Sequence, residues 1–238
     1  MAILNRISVY YLVIIFLLSL YVLGAFTFGV QQVLLQGLPP VLATVTAGLI
    51  LDYIELKRWT KPLTPFITGL IIGLIAQFGA PALTLIVIGI LSMVIKFIVK
   101  WEGRHIFNPA GAGIVAGMLM FGSYPSWWVG GENMWIYLVW IPIMLYKMKR
   151  WAPMVGYLVP QFLTSGLIIF TSASGLFFLS VMLIEPKTSP SSVKLGLVYG
   201  LIVGVGFIVL GRFSNFDPLT TALLTGNLTQ RVLGRYIK

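Results

Sequence analysis

Residues 9–30 contain no charged side chain. That run exceeds the roughly 20 residues a helix needs to cross the hydrocarbon core of a bilayer. Comparable apolar stretches recur toward the C-terminus. Inside lipid every backbone N–H and C=O must be paired within the chain, which only helices or a closed barrel achieve. Barrel strands would be short and would alternate apolar with polar residues, and these stretches do neither. Composition agrees, with 58% hydrophobic and 9% charged residues and a mean hydropathy of +0.98, against about 25% charged in a soluble domain. The chain reads as one all-α integral membrane domain over residues 1–238, with the lipid bilayer as its first partner and no sizeable soluble part. Arg6 precedes an apolar run too long for a signal-peptide core, and no small-residue cleavage phrase follows, so residues 8–30 read as a retained first helix.

The same composition removes several chemistries. There is no cysteine, so there is no disulfide, no thiolate nucleophile and no iron–sulfur ligand. His105 is the only histidine, which rules out bis-histidine haem within one chain and argues against a metal site. Neither catalytic nor metal-ligating residues are assigned. Any redox work by such a chain calls for an organic carrier, a flavin or a quinone.

Apolar runs and turn residues divide the chain into about ten segments: 8–30, 39–55, 64–78, 81–100, 109–122, 134–148, 152–171, 174–185, 192–211 and 217–231. Segments 109–122 and 174–185 are too short to cross a core of about 30 Å alone. With the N-terminus cytoplasmic, every one of the 16 Lys and Arg residues except Arg212 falls at or near a cytoplasmic end. The expected outer loops, such as 37–39 and 123–133, carry none. The net charge of +10 is thus a topology signature rather than a nucleic-acid footprint. It implies a multi-pass protein of the cell (inner) membrane with both termini cytoplasmic.

Phe107-Asn108-Pro109 recurs as Phe216-Asp217-Pro218, an offset of 109 residues that also links Pro81 to Pro190 and Gly117 to Gly226. Halves of about 1–123 and 134–238 read as diverged copies. Five passes per half give the copies opposite orientations, a 5+5 inverted repeat whose short or broken helices meet around a binding site.

Asn108 and Asp217 each stand just before a proline, a strong helix-start signal. They serve either as caps alone or as starts that aim free N–H groups and a partial positive charge at a ligand. Gly111 and Thr220 follow closely, within small residues that allow a ligand or another helix to approach. Glu185 ends a short segment in Glu185-Pro186-Lys187-Thr188-Ser189-Pro190. It reads either as a solvated turn or, with Thr188, as part of a protein-lined cavity. Asn227 lies within the last segment as an interhelical hydrogen-bonder or a ligand contact. Tyr124, Trp127, Trp128 and Trp135 read as an interfacial belt, with a stacking platform for a flavin ring as the alternative. Arg212, the lone outer cation, reads as a phosphate contact or an interface marker.

These residues carry a resemblance. Gly103-Arg104-His105-Ile106-Phe107-Asn108-Pro109-Ala110 resembles the G-R-x-x-x-N-P-A phrase of the NqrB/RnfD family, membrane subunits of the sodium-pumping NADH:quinone oxidoreductase and of the Rnf complex. Phe177-Phe178-Leu179 through Glu185-Pro186-Lys187-Thr188-Ser189-Pro190 resembles its F-F-M-x-T-D-P-V-[ST] phrase, with Glu for Asp. Tyr199-Gly200 through Arg212, then Asp217 to Asn227, resembles its ending.

The resemblance implies a ten-helix inverted repeat and a redox subunit, not a self-sufficient enzyme, that passes electrons through or along the membrane with coupled ion movement. It implies partners among the other subunits of an electron-transfer complex or a soluble flavin/Fe–S reductase, and it leaves a homo-oligomer open. The family's covalent FMN sits on the threonine of an S-G-A-T phrase that this chain lacks. FMN or riboflavin would therefore be held non-covalently. The cofactor-binding residues expected on this reading are Arg104, Asn108, Gly111, Glu185, Thr188, Asp217, Thr220 and Asn227. The alternative function is a transporter or channel for a small solute, such as a flavin or vitamin, on the same inverted-repeat fold.

Overall fold

The computed structural model describes residues 6–129, 134–165, 172–213 and 215–237. Residues 130–133 of the expected outer loop, 166–171 of the seventh segment, and Lys238 among the inner cations lie outside the described residues. The described residues form helices and one two-stranded hairpin, joined by turns and irregular stretches. Three of its helices are long and apolar enough to cross a membrane. This is the architecture of an all-α membrane protein. Contacts divide it into two compact units, residues 1–98 with 109–131, and residues 99–108 with 132–238.

The first unit holds α1 (Val9–Phe28), α2 (Val30–Leu56), α3 (Leu63–Ile75), α4 (Ala82–Ile98) and α5 (Pro109–Phe121). α1 is apolar on every face: Phe16, Leu17 and Leu20 are fully buried while Ile15, Val22 and Phe26 are exposed, the pattern of a helix with lipid on one side. The turn to α2 is Gly29 alone, at φ 89, a value that favours glycine. The chain doubles back there, since Tyr21 of α1 packs on Gly37 of α2 and donates its hydroxyl to the Leu70 carbonyl at 2.9 Å. The expected loop at 37–39 is therefore corrected: Pro39 and Pro40 lie inside a 27-residue helix. A proline removes one helical hydrogen bond, which membrane helices tolerate when neighbours compensate. Here α3 and α4 close in on the site, and a Cβ at Gly69 or Gly89 would stand 3.0 or 3.1 Å from the Pro40 carbonyl oxygen.

α3 has only 13 residues, and its terminal carbonyls need donors. Residues 122–129 return to supply them. The Ser126 and Trp127 N–H groups donate to Ile75 at 3.1 and 3.3 Å, the Ser126 hydroxyl to Ala76 at 3.0 Å, and the Trp128 indole to Gly73 at 2.7 Å. The Trp128 ring meets Tyr21, Phe28 and Phe78 at centroid distances of 5.6, 5.8 and 5.4 Å. Trp127 and Trp128 are 8% and 6% exposed, so they cap and fill a core instead of forming a belt or a platform. Tyr124 and Trp135 remain exposed, at 50% and 79%.

The second unit begins with a hairpin, β1 (Lys100–Trp101) and β2 (Arg104–His105), paired Lys100 to His105 and Trp101 to Arg104. Its two turn residues, Glu102 and Gly103, have φ of 52 and 74, as a type I′ turn requires. Then follow α6 (Trp135–Met148), α7 (Trp151–Ser165), α8 (Ala173–Phe177, extended by a π turn over Phe178–Met182), α9 (Val193–Phe213) and α10 (Pro218–Leu233). α7 and α9 pack backbone to backbone, and a Cβ at Gly200 would collide with the Pro153 carbonyl. Shifting the starts of α3, α4 and α5 by 109 residues gives 172, 191 and 218, against observed starts of 173, 193 and 218 for α8, α9 and α10.

Candidate functional site

α10 begins with an N-cap. The Asp217 carboxylate accepts from the Thr220 N–H at 2.8 Å and from its hydroxyl at 2.7 Å, with Pro218 at the first helical position. Asn227, Gln230 and Arg231 then fall near the other end of the same rod. Asn227 and Gln230 are three apart and share a face, and both are buried.

Asn227 is the hub of a buried hydrogen-bond network. Its side-chain oxygen accepts the Asn108 backbone N–H at 2.8 Å. Its amide donates to the Thr188 carbonyl at 3.2 Å and to the Tyr199 hydroxyl at 3.1 Å. Gln230 donates to the same Thr188 carbonyl at 3.2 Å. Glu185 closes the circuit, accepting from the Asn108 side-chain amide at 3.0 Å and from the Thr188 hydroxyl at 2.8 Å. The Ser189 hydroxyl donates to the Glu185 carbonyl at 2.8 Å. Asn227, Tyr199 and Thr188 have no exposed surface, and Glu185 is half-buried.

Local structure explains the gathering. The π turn ends α8 and the chain runs irregularly from 183 to 192 before α9 starts. This break frees a backbone carbonyl, Thr188, and presents a carboxylate. The type I′ hairpin sends the chain back so that Asn108 follows three residues after His105, whose carbonyl accepts from Arg231 at 3.2 Å. Arg231 also donates to the Lys187 carbonyl at 3.2 Å.

Asn108, Glu185, Thr188 and Asn227, expected from sequence, thus lie together. Arg104, Asp217 and Thr220 do not join them. Arg104 is exposed on β2. Gly111 is buried in α5. Asp217 and Thr220 sit ten and seven residues before Asn227, about 15 and 10 Å along a straight helix. The expectation that the two Asx-Pro starts face one ligand is corrected, because Asn108 docks near the far end of α10 and Asp217 is engaged in its cap. One N–H at each start is engaged by a side chain, Asn108 by Asn227 and Thr220 by Asp217. Arg212 is exposed in the last turn of α9.

Sequence reasoning missed Tyr199, Gln230 and Arg150 as site neighbours. Gln230 had a signal, its three-residue spacing from Asn227. Arg150, in the connection between α6 and α7, donates to the Pro186 carbonyl at 3.4 Å, and burial lowers its pKa from the ordinary arginine value. Chemically the network offers amide and hydroxyl donors around one carboxylate, able to bind a polar ring edge or to hold a proton or cation. Among the described residues no group of three or more His, Asp or Glu side chains is placed to hold a metal ion. No protein-family profile matches the chain, and no curated protein does.

Proposed function

We propose that this chain is a membrane subunit of an electron-transfer system of the NqrB/RnfD kind, built as a ten-span 5+5 inverted repeat with both termini cytoplasmic. One observation carries the reading. Asn108, Glu185 and Asn227 stand in three separate phrases of the sequence, and they are joined by hydrogen bonds of 2.8 and 3.0 Å across 119 and 77 positions. The 109-residue correspondence of helix starts supports the repeat.

Flavin belongs to the proposal. The donor set suits an isoalloxazine edge, which alternates acceptors with an N–H: Asn108 and Asn227 supply amides, and Glu185 and the Thr188 carbonyl supply acceptors. These groups hydrogen-bond to one another, so a bound ring would exchange its edge for contacts the chain now makes with itself. A flavin held there would supply one- and two-electron carriage. The residues would orient it, and Glu185 would hold or release a proton. Asp217 and Thr220, at the other end of α10, are not part of this site.

The test is the visible spectrum of the purified full-length protein, with the mass of any chromophore released on denaturation. Bound flavin should be present and should fall at least tenfold in Asn108→Ala and Glu185→Gln. Colourless wild-type protein would remove flavin from the proposal.

A second reading, transport of a small solute, draws on the interrupted helix. The break at 183–192 places the half-buried Glu185 carboxylate and the buried Thr188 carbonyl where α8 gives way to α9, as discontinuous helices do in transporter sites. Flux into liposomes holding the purified chain, without any redox partner, would favour it.

A further inference from the structure

Two helices of this chain end in the same three residues. α2 runs out into Lys57-Arg58-Trp59, and α6 into Lys149-Arg150-Trp151. The backbone repeats as well. Lys57 and Lys149 each follow the last helical residue in the left-handed region, at φ 54, ψ 26 and φ 52, ψ 38. Each donates its N–H back into its helix at 2.9 Å, to the Tyr53 and Leu145 carbonyls. Among the described residues only four that are not glycine have a positive φ, and these lysines are two of them. Helices ordinarily place a glycine or an asparagine there, because most side chains are strained in that conformation.

What stands beside each lysine is exposed. Trp59 and Trp151 are 68% and 49% exposed. Lys57, Arg58 and Lys149 are exposed too, and none is bonded to another side chain among the described residues. The first phrase is held in shape. The Trp59 ring stacks on Tyr53, in the last turn of α2, at a centroid distance of 4.8 Å. The Thr60 hydroxyl donates to the Asp52 carboxylate at 2.6 Å. In the second phrase Trp151 opens α7 and Arg150 donates to the Pro186 carbonyl, which leaves Lys149 as the exposed cation.

A bias of cations toward one membrane face accounts for basic residues at these ends, and a cation after a helix also answers its dipole. Neither requires the lysine to take a conformation that glycine fits better, followed two residues later by an exposed indole, in two separate units. Strain that persists in this way points to a role for the side chain. Each phrase directly follows an apolar helix, so the nearest anions are lipid headgroups. Lysine and arginine neutralise phosphate, and indole rings settle at headgroup depth.

We propose that the two Lys-Arg-Trp phrases anchor the chain to anionic phospholipid headgroups, with the cations on the phosphate and the indole within the headgroup layer. The proposal needs neither the electron-transfer reading nor the ten-span topology.

The experiment follows the unfolding temperature of the full-length protein in neutral detergent. Short-chain phosphatidylglycerol is titrated beside short-chain phosphatidylcholine and inorganic phosphate, and should stabilise at a lower concentration than either. The deciding variant carries Lys57→Gly and Lys149→Gly together, because glycine keeps the left-handed cap and removes the cation. Without lipid it should unfold at the wild-type temperature or above. Its phosphatidylglycerol concentration for half the shift should rise about tenfold. Trp59→Ala should raise that concentration as well, and Lys57→Arg with Lys149→Arg should leave it unchanged. Equal stabilisation by the two lipids, a matching effect of inorganic phosphate, or a wild-type response in the glycine variant overturns the proposal.

Discussion

Asn227 serves three groups of the chain at once: a backbone N–H, a backbone carbonyl and a phenol. Replacing it with Ala strands the Asn108 N–H and the Tyr199 phenol in a buried site, while the Thr188 carbonyl keeps Gln230, and each unsatisfied group costs about 1–3 kcal/mol. Asn227→Ala should therefore lower unfolding stability in detergent by about 2 kcal/mol or more. Asp217→Ala removes a cap and should cost about 1 kcal/mol. Equal losses in the two variants would contradict the hub assigned to Asn227. Asn108, Glu185 and Asn227 could be picked from sequence because an amide or acid amid apolar residues needs a partner. Tyr199 could not, since a tyrosine in an apolar segment reads as one more large hydrophobe. Nothing in the sequence shows that Asn108 docks on a distant helix while Asp217 bonds to its own.

Helix existence and most helix ends followed from apolar runs and flanking turn residues. α5 and α10 start where Asn108-Pro109 and Asp217-Pro218 place them. Two features ran against local rules. Tandem prolines read as a break, yet α2 runs on through Pro39 and Pro40, with Gly69 of α3 and Gly89 of α4 packed close to the Pro40 carbonyl. Strands of two residues are too short to show alternation, so the hairpin's one signal was Glu102-Gly103. Helix contacts also set the next prediction. A Cβ at Gly200 meets backbone, while at Gly206 its nearest neighbour is the Ala222 Cβ at an ordinary 3.4 Å. Gly200→Ala should destabilise by about 2 kcal/mol through overpacking. Gly206→Ala should be neutral or gain up to about 1 kcal/mol from helix propensity. Thermal unfolding of both in one detergent decides, and a tolerated Gly200→Ala would refute the close packing of α7 and α9.

For the whole molecule, the absence of cysteine makes topology directly testable. Tyr124 and Lys187 are exposed and lie on opposite sides in the proposed arrangement. Single replacements Tyr124→Cys and Lys187→Cys should react with an impermeant thiol reagent from the outer face and only after permeabilisation, respectively. Labelling of both from one face would exclude the ten-span arrangement. How residues 99–108 leave the first half to join the second unit was not legible, because nothing local marks a segment whose partners lie far ahead in the chain. That exchange also bears on biosynthesis. Asn108 leaves the ribosome 119 residues before Asn227, a delay on the order of ten seconds at ordinary elongation rates. For that interval the Asn108 N–H has no native acceptor on α10. The network therefore closes only when α10 inserts, which makes α10 the latch of its assembly and loss of α10 a change felt at a distant segment.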